Sequence, residues 1–205
     1  MPKVTIFNFY DYLKNPMAIY CVNQYKDKQI LTLDDVKPYI DKCSHSKHCI
    51  ERGDSKSYIG DQVRLLMGSE IDDFCYVDAD CIINDLDKIK KDTIAVDCSS
   101  DGTFRLQNGT FFYGLKDFNK YYYDVYEKNW NLSGFVNWDV MAAVQLLHPE
   151  YFDLNKTVIS PDEDTFNTGM LLGKGPERKA SLPKIKNMAD YIAHVYERYL
   201  AAKIF

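Results

Sequence analysis

Phe74-Cys75-Tyr76-Val77-Asp78-Ala79-Asp80-Cys81-Ile82-Ile83 is an apolar run that carries two carboxylates one residue apart and then turns apolar again. Charges stay inside such a run only where something pairs with them or a cation binds them. Two aspartates at i and i+2, where a buried strand emerges, reach one divalent ion together. Hard carboxylate oxygens suit Mg2+ or Mn2+, which complete their shells with phosphate oxygens and water.

Upstream, residues 57–71 predict a helix, because Ile59, Val63, Leu66, Met67 and Ile71 fall on one face. Asp61 and Arg64, three apart, share a face of it and can pair. A helix that runs straight into a strand ending in acids is an α/β arrangement, with the ligand crevice at the carboxyl ends of the strands. Further back, residues 3–10 read as a first strand and residues 17–22 as a second. Residues 31–40 read as a short helix capped near Thr32. Cys43-Ser-His45-Ser-Lys-His48-Cys49 crowds four possible zinc ligands into seven residues, whereas structural zinc sites draw on two separated knuckles; a polar loop is expected.

Downstream, residues 93–97 predict a strand. Residues 104–115 predict another, broken at Gln107-Asn108-Gly109 by a hairpin turn or a close backbone approach. Residues 118–130 predict a helix with a tyrosine face, whose tyrosines are expected to pack, with an exposed edge as the alternative place for an acceptor. Asn137-Trp138-Asp139 opens a further helix, an acidic loop precedes a strand at residues 166–172, and a terminal helix carries His194. With no repeat, low-complexity segment or linker, the expectation is one domain over residues 1–205.

Composition narrows the function classes. The chain is 46% hydrophobic and 27% charged, the usual balance of a folded protein, and its net charge of −5 argues against nucleic acid or an anionic membrane as main partner. The six cysteines show no framework spacing, and no apolar stretch approaches a membrane span, so a reduced cytoplasmic setting is expected.

The segment Gly60-Asp61-Gln-Val-Arg64, with Tyr76-Val-Asp78-Ala-Asp80 after it, resembles the D-x-D core of GT-A-type retaining glycosyltransferases. Within that group it is similar to chlorovirus-type domains that decorate capsid glycans. The resemblance implies a single α/β domain with a mixed central sheet flanked by helices. Residues 1–98 would form the nucleotide-binding half and residues 99–205 the acceptor half. It implies Mn2+ or Mg2+ on Asp78 and Asp80, with His194 completing the shell, and a uridine-diphosphate sugar as donor. Asp61 and Arg64 would touch the donor sugar or brace the aspartates, Ala79 would also face the donor, Asn8 and Tyr10 its uracil, and Asn108-Gly109 its sugar. Asn137 and Asp139 would stand beneath the anomeric carbon, and a glycan or glycoprotein would be the acceptor. Phe166-Asn167-Thr168-Gly169 is a rival for the asparagine-glycine element and Asp162-Glu163-Asp164 a rival for the acid. The Gly-x-x-Lys-Pro expected after His194 is missing, and the chain is short for the group, which suggests part of a larger protein. Three other readings compete: two acids that merely cap the strand, a sugar-nucleotide-binding module without turnover, and a haloacid-dehalogenase-type phosphatase, which also places D-x-D after an apolar strand.

Overall fold

A computed structural model describes residues 2–14, 16–54, 56–79, 81–83, 90–98, 104–106, 111–131, 158–159 and 165–167. The chain is α/β. Its main sheet contains β1 (Val4–Phe7), β2 (Lys28–Leu31), β3 (Cys75–Val77), β5 (Thr93–Cys98), β6 (Phe104–Leu106), β7 (Phe111–Tyr113) and β8 (Val158–Ile159). The order is β2-β1-β3-β7-β5-β6, with β8 also on β5. The sheet is mixed: β2, β1 and β3 run parallel, β7 is antiparallel to β3, and β5 is antiparallel to β7. A separate pair joins β4 (Cys81–Ile83) to β9 (Thr165–Asn167).

Alternation along the strands sets the two faces. Val4, Ile6, Cys75, Val77 and Phe111 meet Val22 and Tyr25, which flank the end of helix α1 (Pro16–Asn23). Phe7, Tyr76 and Phe112 point the other way, into the larger core. There they meet helices α2 (Lys37–Ile40), α3 (Ser44–Arg52), α4 (Lys56–Glu70) and α5 (Lys116–Asn129). β1 and β3 are buried at every position, as a strand covered on both faces requires.

Residues 17–22 are not a strand. They lie in α1, and Ala18, Cys21 and Val22, all at most 3% exposed, follow the i, i+3, i+4 spacing of one helical face, while Ile19 points outward. Pro16 stands at the first helical position, where its missing N–H costs nothing. The helix expected at residues 31–40 shrinks to α2, because Lys28–Leu31 pairs with β1 as an edge strand. Thr32 does not cap it: the N-cap of α2 is Val36, which makes no side-chain cap bond, while Asp35 Oδ2 accepts from Thr32 N–H (2.8 Å) and Thr32 Oγ–H (2.6 Å) in the turn ahead of the helix. The polar loop expected at residues 43–49 is instead the start of α3, with Cys43 and Cys49 turned into the core. β6 and β7 both run antiparallel to β5 and so point the same way, which two strands of a hairpin do not do.

α4 and α5 pack antiparallel, with Gly68 against Asn119 at one end and Gln62 hydrogen-bonded to Glu127 near the other. A Cβ on Gly68 would stand 2.7 Å from Asn119 Nδ2 and 3.0 Å from the Phe112 ring. Asn119 is itself held, donating to the Gly114 carbonyl at 3.1 Å. Gly68→Ala is therefore expected to cost about 1–3 kcal/mol of stability in denaturant unfolding. An unchanged midpoint would show that the helices separate freely.

Candidate functional site

The strand order fixes where a crevice opens. From β1 the chain crosses by α1 to β2 on one side, then returns by α4 to β3 on the other, so the winding reverses between β1 and β3. α1 and α4 lie on opposite faces, and the carboxyl ends of β1 and β3 part at the reversal, which is where open α/β sheets bind ligands. Asn8, Phe9 and Tyr10 leave β1 there, and Asp78 and Ala79 leave β3. α4 feeds β3 by running back across the sheet, so its first turns come down on the same edge. Gly60 lies against the Phe7 and Phe9 rings, 3.8 Å from where its Cβ would be.

Asp78 is half-buried, and the Tyr76 hydroxyl donates to its Oδ1 at 2.7 Å. Tyr76 and Asp78 are two apart on β3 and its exit, so both project toward α4. The Arg64 guanidinium lies 5.5 Å over the Tyr76 ring, and its Nη2 pairs with Asp61 Oδ1 at 2.6 Å. The Arg64 side chain is only 10% exposed and that of Asp61 21%. Burial works against the guanidinium charge; Asp61 foremost, then Tyr76 and Asp78, outweigh it and hold its pKa above the ordinary value. The Tyr76 phenol is pushed well up by burial and by the Asp78 charge, so it stays a donor. Asp61, Arg64, Tyr76 and Asp78 thus form one charge-linked cluster at the crevice. Tyr76 was not among the residues singled out from the sequence, although its i−2 spacing from Asp78 was the available signal.

The nucleobase candidates have local work. Asn8 Oδ1 accepts from Leu13 N–H at 3.3 Å, closing the turn after β1. The Tyr10 hydroxyl accepts from Ser57 N–H at 2.8 Å, satisfying an amide in the first turn of α4, while the side chain stays well exposed. Ala79 is buried in the smaller core. Lys56 brings a cation to the same edge: its Nζ donates to the Phe9 carbonyl at 2.9 Å and lies 5.5 Å over the Tyr10 ring. Lys56 also borders a cleft of about 600 Å3 that is lined mainly from α2 and α3, among them Lys37, Ile40, Lys47 and Ile50, and not by Asp78. That volume is in the range of small-molecule sites.

Asp80, Asn108, Gly109, Asn137, Asp139 and His194 lie outside the described residues. Among the described residues no three histidine, cysteine or acidic side chains converge as a cation cage. Asp78 fits a hard divalent ion as one ligand: it is an oxygen donor whose orientation is fixed by a second-layer hydroxyl, the support that ligating carboxylates usually have. The backbone brings one rival residue close. In the β4–β9 pair Asn167 stands opposite Cys81, the residue after Asp80, so the second asparagine-glycine candidate is next to the D-x-D in register.

On the other side of α4, His45 stacks on Trp130 (centroids 4.7 Å, planes 10° apart), and its Nδ1 is hydrogen-bonded to the Tyr126 hydroxyl at 2.9 Å. Burial first, then the His48 charge, lower its pKa; Asp61, Glu127 and Asp54 oppose them. The unfolded imidazole titrates near its ordinary pKa of about 6.5 while the folded one resists protonation, so below that pH the unfolded state binds more protons. The contribution to stability is therefore complete above about pH 6.5 and is lost as pH falls toward the folded value. His45→Gln is expected to flatten this part of the stability–pH curve; an identical curve in the variant would assign the titration elsewhere.

No protein family model, no characterised protein and no solved structure matches the chain. Among the described residues no helix is long and apolar enough to cross a membrane.

Proposed function

We propose that the chain is a metal-dependent glycosyltransferase of the GT-A type, moving a hexose from a uridine-diphosphate sugar to a hydroxyl of a glycan acceptor with retention. The observation that carries the reading is Asp78, braced by Tyr76 beside the Asp61–Arg64 pair, at the reversal point between β1 and β3. An acid held in orientation at a ligand crevice is what a diphosphate-bound cation needs.

Asp78 and Asp80 would hold Mn2+ or Mg2+, which supplies Lewis-acid stabilisation of the departing diphosphate. Tyr76 keeps the Asp78 carboxylate aimed into the crevice. Asp61 and Arg64 present fixed opposite charges to the donor sugar, and the Lys56 ammonium offsets phosphate charge at the rim. Asp139 and Asn137 remain the proposed groups beneath the anomeric carbon, with Asn167 beside the D-x-D as the second candidate toward the sugar. Because the donor already carries a good leaving group, orientation and fixed charge supply most of the acceleration.

Slow hydrolysis of UDP-hexoses in the presence of Mn2+ tests turnover. Release of UDP that stops on chelation is expected. Tight UDP binding without any release would instead favour a binding module, and UDP-insensitive cleavage of simple phosphoesters would favour the phosphatase reading.

A further inference from the structure

The edge of the sheet that carries Asp78 also carries an aromatic array. Because α4 and α5 run antiparallel, the start of α4 and the end of α5 come together, with α3 across them. Tyr58, on α4 one turn before Asp61, is 47% exposed, and its ring centroid is 5.3 Å from that of His45. His45 stacks on Trp130, and His48, one turn on in α3, lies tilted against the same indole at 5.1 Å. Asp61 lies close enough to act electrostatically on both His45 and Tyr126, which ties the array to the charged cluster.

The rings are held from behind. Trp130 Nε1 donates to Ser44 Oγ at 2.7 Å, and Ser44 N–H donates to the Glu127 carboxylate at 3.0 Å. Gln62 donates to the same carboxylate while its carbonyl accepts from Ser46 N–H at 2.9 Å and from Ser46 Oγ–H at 2.8 Å. With these groups satisfied internally, the exposed ring surface stands preformed, and ordering it on binding costs little.

We infer that Tyr58, His45 and Trp130, with Asp61 at their border, form a carbohydrate subsite that takes a pyranose ring of the acceptor. The C–H-bearing face of a pyranose packs on an aromatic face while its rim hydroxyls donate to a carboxylate and pair with imidazole nitrogens, which is the chemistry grouped here. Arg64 holds Asp61 Oδ1, which fixes the carboxylate in place to accept from a rim hydroxyl. The inference rests on the transferase reading, and assigns the acceptor to the α3–α5 side of the crevice and the donor to the β1–β3 side.

The test is titration of the intact chain with cellobiose, maltose and lactose, followed by the Trp130 indole N–H and His45 ring resonances. Saturable shifts with at least one disaccharide are expected. Tyr58→Ala should weaken that binding about tenfold, as truncating an aromatic anchor does, with no change in Mn2+-dependent UDP affinity or in melting temperature. No shift with any disaccharide while UDP still binds would overturn the subsite and leave the transferase reading standing. Loss of UDP affinity in Tyr58→Ala would overturn it too, by assigning the rings to the nucleotide. Failure of UDP and disaccharides alike would remove both.

Discussion

Arg64→Met is expected to destabilise the fold by about 3–5 kcal/mol, the cost of removing one partner from a buried ion pair. The side chain is 10% exposed, Asp61 sits 2.6 Å away, and Asp78 adds a second negative charge nearby. Without the guanidinium, two carboxylates remain at a poorly solvated helix–sheet junction. In a chain of this size the loss corresponds to roughly 10 °C in melting temperature. Asp61→Asn in the same background should return part of it, because the orphaned charge is then gone. Denaturant unfolding of the two single variants and the double variant measures the coupling. A loss below about 1 kcal/mol would make the pair an ordinary surface bridge and remove its role as a brace for Tyr76 and Asp78.

Asp78→Asn should act in the opposite manner, leaving the fold and removing the ligand. The amide carbonyl still accepts from the Tyr76 hydroxyl, so the stability change should stay within about 1 kcal/mol. Affinity for UDP in the presence of Mn2+ should fall by at least about 100-fold, since loss of outer-layer partners alone costs metal sites up to that much. Affinity in the absence of metal should not move. Undiminished Mn2+-dependent binding in a folded variant would remove Asp78 from the metal site.

The two elements that build the crevice were readable locally. α4 announced itself by the spacing of Ile59, Val63, Leu66 and Met67, and β3 by an apolar run broken by acids. The misreading of residues 17–22 does not move the crevice, whose place depends on the ends of β1 and β3 and not on what lies between β1 and β2. The reversal point itself was not readable. It requires that Lys28–Leu31, a partly exposed edge strand with little alternation, be recognised as β2. α1 misled because Met17 to Val22 is continuously apolar, and an apolar run shorter than two helical turns fits either period. Tyr76 was passed over within the apolar run, although its place two residues before Asp78 puts both side chains on one face of the strand. The approach of Asn167 to Cys81 joins residues far apart in the chain, and strand pairing of that kind leaves no mark in a short window of sequence.

Calorimetric titration of UDP into the intact chain, with Mn2+ and then with the metal chelated, tests the central claim most directly. Saturable one-site binding that requires the metal and disappears in Asp78→Asn is the predicted result. Binding of equal strength with and without Mn2+, or no binding in either condition, would contradict a diphosphate–metal site between β1 and β3.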